Sequence, residues 1–126
     1  TVIIKGLITQ ADELIVSGSI CKGDRKFNTT FILDTGFRGE DVAIPFNISQ
    51  ELGLEPSGER EADSPVGTIK LEVGDDAELC LGDKVYRVSY VLHYGAYPLI
   101  SVTFLRRASN AVAVNFAEGI VFISLR

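Results

Sequence analysis

The chain has 126 residues, of which 46% are apolar and 23% charged, with a formal net charge of −5 and a pI near 4.8. That length makes one domain with a modest core of its own, and the composition is ordinary for a folded globular protein. The acidic balance argues against a nucleic-acid partner, and no apolar run approaches the ~18 residues a membrane helix needs. No signal-peptide pattern is present; the sequence opens at Thr1 rather than methionine, as a trimmed or mature chain does.

Taken in chain order, the elements read as mostly β. Val2-Ile3-Ile4 and Leu14-Ile15-Val16 flank a turn near Ala11-Asp12-Glu13. Phe27 to Leu33 is a strand that runs into Asp34-Thr35-Gly36, and Asp41 to Ile44 is a short strand. Asn47 to Leu52 reads as a short helix, with Asn47 as N-cap and Gly53 as its C-terminal stop. Glu55 to Gly67 is the most polar stretch and reads as a mobile loop. Thr68 to Val73 alternates as a half-buried strand. Glu78 to Leu81 and Val85 to His93 form a second hairpin, Val102 to Arg107 a second helix, and Val112 to Val114 with Ile120 to Ile123 a terminal hairpin. The basic pairs Lys22/Lys26 and Arg106-Arg107 read as a solvated turn and a helix end.

The chain repeats itself. Cys21-Lys22-Gly23-Asp24-Arg25-Lys26-Phe27 through Phe31-Ile32-Leu33 is echoed by Cys80-Leu81-Gly82-Asp83-Lys84-Val85-Tyr86 through Tyr90-Val91-Leu92. Cysteine, Gly-Asp, a basic residue and the aromatic positions recur in register, and each copy reads as a hairpin. On this register His93 stands where Asp34 stands, and Gly95 where Gly36 stands. Cys21 and Cys80 are too few for a disulfide framework and, with the single histidine His93, make a poor zinc set. They read as small apolar strand residues; a disulfide between them fits the pattern without being demanded by it.

An acidic residue ending an apolar strand is costly unless it is paired or working. Here Phe31-Ile32-Leu33 leads into Asp34-Thr35-Gly36-Phe37, followed by Val42-Ala43-Ile44-Pro45 and the helix end Glu51-Leu52-Gly53-Leu54. A second signature is partly met by Pro98 to Arg107, with Ser101 where glycine is usual. From about Gly6 to Leu125 the sequence resembles the retroviral-type, retropepsin-like aspartic peptidases, and among them the small prokaryotic members. The resemblance implies a mainly-β acid-protease barrel with two short helices and one Asp-Thr-Gly per chain, all within a single domain of residues 1–126. It implies that about 59–69 form a flap, the hairpin that closes over substrate. It also implies two related halves, as the repeat requires.

Peptide hydrolysis by carboxylates needs two of them sharing a proton, one as general base toward water and one as donor to the substrate carbonyl. One chain has a single Asp-Thr-Gly, so the resemblance implies a homodimer with Asp34 from each subunit at the axis. It makes Asp34, Thr35 and Gly36 the catalytic loop: Thr35 locks the two loops together, and Gly36 allows close backbone approach. Phe37, Pro65, Val66 and Gly67 are the expected substrate contacts, and the partner is a peptide or unfolded protein. No metal or organic cofactor is implied. Glu40, Asp41, Asp75 and Asp76 sit in polar sequence and read as solvated charges, and His93 as a structural residue. The rival readings are an inactive dimer of the same fold that binds peptides, favoured by Ser101 and Ser64-Pro65, and a β-barrel ligand binder in which the tripeptide is coincidental.

Overall fold

The structure, a computed structural model, describes residues 1–126. Ten strands and two helices follow in chain order: β1 (Val2–Ile8), β2 (Leu14–Lys22), β3 (Arg25–Asp34), β4 (Val42–Pro45), α1 (Phe46–Leu52), β5 (Gly58–Ser64), β6 (Gly67–Leu81), β7 (Lys84–His93), β8 (Leu99–Ser101), α2 (Val102–Ala108), β9 (Ser109–Asn115) and β10 (Ile120–Leu125). The strands run in the order β5-β6-β7-β4-β8-β3-β2-β1-β10-β9, and a further β6–β2 pairing closes the middle six into a barrel. Closure leaves the β5 end as a projecting hairpin and β9 as a free edge. Neither helix is long and apolar enough to cross a membrane.

The repeat is a real symmetry of the fold. Lys22 pairs with Arg25 across one turn and Leu81 with Lys84 across the other, each turn led by a glycine with positive φ, Gly23 at 58° and Gly82 at 60°. The two halves then interleave. β3 runs parallel to β8, with Asp34 level with Ser101, while β7 runs parallel to β4, with His93 level with Pro45. In the β2–β6 ladder Ser19 faces Cys80, Ile20 faces Leu79 and Cys21 faces Glu78. Ile20 and Leu79 are counterparts at the repeat's own spacing of 59 residues, so an internal twofold axis passes between them. Both side chains are buried in the single apolar core, as are the counterparts Phe31 and Tyr90.

Period-two alternation places the core side chains, as in β10, where Val121, Ile123 and Leu125 are buried. Two polar expectations give way. Residues 58–64 form a strand, paired from Gly58↔Val73 to Ser64↔Gly67. Backbone pairing supplies its order, because Glu59, Glu61 and Asp63 face solvent and leave no apolar pattern to read. The stretches 68–73 and 78–81 are one strand, β6, bent where its register shifts between Gly74 and Ala77. At α1 the N-cap position is Pro45, without a side-chain cap, and not Asn47. Proline's fixed φ and missing N–H suit a helix entry. Gly53 ends the helix in the left-handed region, as expected.

Three carboxylates read as solvated are paired, and only Asp75 is exposed as expected. Asp76 accepts from Lys22 Nζ at 2.8 Å, from the Tyr90 hydroxyl at 2.5 Å and from Glu55 N at 2.8 Å. Gly74 makes room for this, since a Cβ there would lie 2.4 Å from Tyr90 Oη. Lys22 also donates to the carbonyl of Gly53, so this end of the turn is anchored, not free. Burial pushes the Asp76 carboxyl up, but the donors from Lys22, Tyr90 and Glu55 outweigh it and hold the pKa at about 2. The folded pKa lies below the unfolded value, so the stabilisation is full above about pH 4 and is lost as pH falls toward 2. Wild type is therefore expected to be more stable than Asp76→Asn at pH 6, with the gap closing as the pH approaches 2. Denaturant midpoints that stay equally far apart across that range would contradict the assignment.

Candidate active site

β3 carries Asp34 to the barrel rim, where the strand ends in the Asp-Thr-Gly turn. The Gly36 N–H donates to Asp34 Oδ1 at 2.9 Å, and Phe37 N to the Asp34 carbonyl at 3.2 Å, which orients the carboxylate and closes the turn. A Cβ on Gly36 would lie 3.3 Å from Asp34 Oδ1, so glycine keeps the amide close to the carboxylate. Asp34 is half-buried, Thr35 and Gly36 are exposed, and Phe37 is half-buried.

The loop is pinned from below by the start of α2. Val102 N donates to the Phe37 carbonyl at 3.1 Å, and Gly39 N to Thr103 Oγ1 at 2.9 Å. Ser101 is fully buried. Its hydroxyl donates to the Asp41 carbonyl at 2.9 Å and accepts from Phe104 N at 3.1 Å, which makes it the N-cap of α2. The residue that departs from the usual glycine therefore works inside the scaffold, joining the loop after Asp34 to the helix beneath it.

Asp41 is only 7% exposed. Its Oδ2 accepts from the Ser89 amide at 2.9 Å, the Ser89 hydroxyl at 3.2 Å and Arg107 at 3.0 Å. Arg107, read as a helix-end charge, is thus an ion-pair partner, since a carboxylate this buried needs one. Glu40 takes a bidentate pair from Arg60, with Nε at 2.8 Å from Oε2 and Nη2 at 2.7 Å from Oε1. That pair ties β5 to the loop after Asp34. These supports came from residue types that sequence reading treats as surface charge; nothing local marked them.

At the tip of the β5–β6 hairpin the Ser64 hydroxyl donates to the Gly67 carbonyl at 2.7 Å and accepts from Val66 N. Pro65 and Val66 form the turn, and Val66 is 92% exposed. Asp34 to Phe37 are thus brought together in one loop, and Pro65, Val66 and Gly67 in another, joined through Arg60–Glu40.

His93, at Asp34's place in the second half, repeats its hydrogen bond: the Gly95 N–H donates to His93 Nδ1 at 3.0 Å. With Nδ1 accepting, the neutral ring carries its proton on Nε2, a buried atom near the Tyr97 backbone. Burial holds the His93 pKa below its ordinary value. The second half has kept the turn but supplies a neutral ring in place of a carboxylate.

No family model and no curated protein matches the sequence. The structure is similar to that of a retropepsin-like aspartic protease from Rickettsia conorii, with a TM-score of 0.67 at 14% identity over 97% of this chain and 89% of that one. The fold is retropepsin-like: mainly β, with a six-stranded barrel and two short helices. Identity this low speaks for the fold alone.

Proposed function

We propose that the chain is an aspartic endopeptidase that works as a twofold homodimer, residues 1–126 forming one domain of each subunit. One observation carries the reading. The chain builds two equivalent turns, and only one ends in a carboxylate, with Asp34 held by the Gly36 amide and His93 held by the Gly95 amide. A second copy of the chain supplies the missing carboxylate with the least new machinery.

In this reading the two Asp34 carboxylates share one proton across the axis. The ionised carboxylate accepts a proton from water, which attacks the peptide carbonyl. The protonated one donates a hydrogen bond to the carbonyl oxygen as charge develops there. Thr35, exposed in the single chain, packs in the dimer. The hairpin carrying Pro65, Val66 and Gly67 covers an extended peptide, and Phe37 lines the floor. Backbone hydrogen bonds hold such a substrate, and alternate side chains enter pockets. Ser101 gives no support to the inactive rival, because its hydroxyl is fully used between Asp41 and Phe104.

The test joins assembly to activity. Sedimentation velocity at micromolar concentration is expected to show a species of twice the 13.7 kDa chain mass, together with cleavage of an unstructured protein. A 13.7 kDa species alone would remove the second carboxylate and with it the proposal. A dimer that cleaves nothing across a peptide library would leave the binding module.

A further inference from the structure

The internal twofold axis brings one more pair of counterparts together. Cys21 and Cys80 lie diagonally across the β2–β6 ladder, on one face of it, with their sulfurs 3.5 Å apart and both thiols free. Their surroundings differ. Cys21 is buried, between Lys26 on β3 and Glu78 on β6 as its cross-strand neighbours. Cys80 is half-buried and forms part of the wall of an open, polar cleft of about 440 Å³, with Ser17, Ser19, Lys26, Asn28 and Thr29.

The geometry points to an oxidation site: Cys80 is the entry thiol for a small anionic disulfide of the glutathione type, and Cys21 is the resolving thiol that converts the adduct into a Cys21–Cys80 bridge. Access assigns the order, because only Cys80 borders the cleft, and the Lys26 ammonium there favours an anionic reagent. Burial and the hydrogen-bonded Cys80 neighbour push the Cys21 thiol up to about 11, which makes it the poorer first nucleophile. Contact with Cys80 compensates in the second step, where the reaction is intramolecular.

The chemistry balances. The Cys80 thiolate attacks one sulfur of oxidised glutathione, breaking its S–S bond and releasing one glutathione thiolate. Cys21 gives its proton to solvent and attacks the Cys80 sulfur, and the second glutathione leaves as thiolate. Two protein thiols are oxidised and one glutathione disulfide is reduced to two glutathiones. The bridge crosses the axis and closes a long loop between the two halves, which constrains the unfolded chain. None of this depends on peptidase activity.

The experiment treats the folded full-length chain with oxidised glutathione, quenches in acid, and reads thiol titre and intact mass. The expected wild-type result is loss of both thiols, a mass lower by two hydrogens, and no retained glutathione. Cys21→Ser is expected to hold one glutathione on Cys80, and Cys80→Ser to keep its thiol free over the same period. A lasting glutathione adduct on wild type, a disulfide between chains, or a reaction seen only in denaturant would each overturn the assignment. Circular dichroism of both variants, matching wild type, confirms that they are folded.

Discussion

Asp34→Asn is expected to cut peptide hydrolysis by about 10²–10⁴-fold, the share a positioned general base contributes, while leaving the dimer intact. Asparagine keeps the shape of the side chain, and its carbonyl oxygen can still accept from Gly36 N, so the turn survives. What is lost is the charge that takes a proton from water. In the proposed dimer, carboxylates about 3 Å apart do not both ionise cheaply, so the working state holds one proton and is lost as pH rises. Wild-type activity should therefore peak in the acidic to mildly acidic range and fall toward neutrality. In the variant the repulsion is absent, and the dimer should be as firm at neutral pH or firmer. The assay compares both proteins on an unstructured substrate between roughly pH 3 and 7, a window bracketing the carboxylate reference values, with sedimentation run alongside. Equal cleavage by the two would remove Asp34 from the mechanism.

Phe104→Ala is expected to destabilise the fold by about 3–5 kcal/mol, the range for deleting a fully buried aromatic ring. Phe104 has no exposed surface. Its ring meets Tyr86 edge-on at 5.2 Å between centroids, and the Arg107 guanidinium carbon sits 5.5 Å above it. The Tyr86 hydroxyl is buried without a hydrogen-bond partner, so packing against Phe104 is what places that ring. Removing Phe104 leaves a cavity beneath Tyr86 and takes away the surface on which Arg107 reaches Asp41. Alanine keeps the backbone N–H that donates to the Ser101 hydroxyl, so the helix cap survives and the loss is one of packing. Urea unfolding should show a lower midpoint at unchanged slope. A loss below about 1 kcal/mol, the centre of the distribution for ordinary point substitutions, would mean that the ring is not the keystone described.

The elements read correctly from sequence carry their cause locally. Phe27 to Leu33 has the apolar pattern of a strand, Gly53 stops a helix, and the Gly-Asp turns at 23–24 and 82–83 announce hairpins whose matching registers bear out the duplication. Asp34-Thr35-Gly36 was visible because an acid at the end of an apolar run is anomalous. What escaped has causes far away in the chain. Asp41 is buried because of Arg107, 66 residues on, and Asp76 is half-buried because of Lys22, 54 residues back; in isolation each is a carboxylate in polar sequence. Composition hid strand β5 because Glu59, Glu61 and Asp63 face solvent; the hairpin there was implied by the family resemblance alone. Ser101 looked like a departure from pattern, and its role as a cap needed the helix geometry to be seen.

The interleaving of the two halves bears on how the chain folds as it is made. β3 finds its parallel partner only at residues 99–101, and β4 only at residues 90–93 of β7 and then β8. A ribosome adding roughly 5–20 residues per second leaves the first half waiting several seconds for those strands. Throughout that interval the segment ending in Asp34 has one open strand edge and an uncovered apolar face, the exposure that promotes aggregation. The barrel can close only once residues 99–101 have been made, and the nascent first half is the point at which chaperones would be needed.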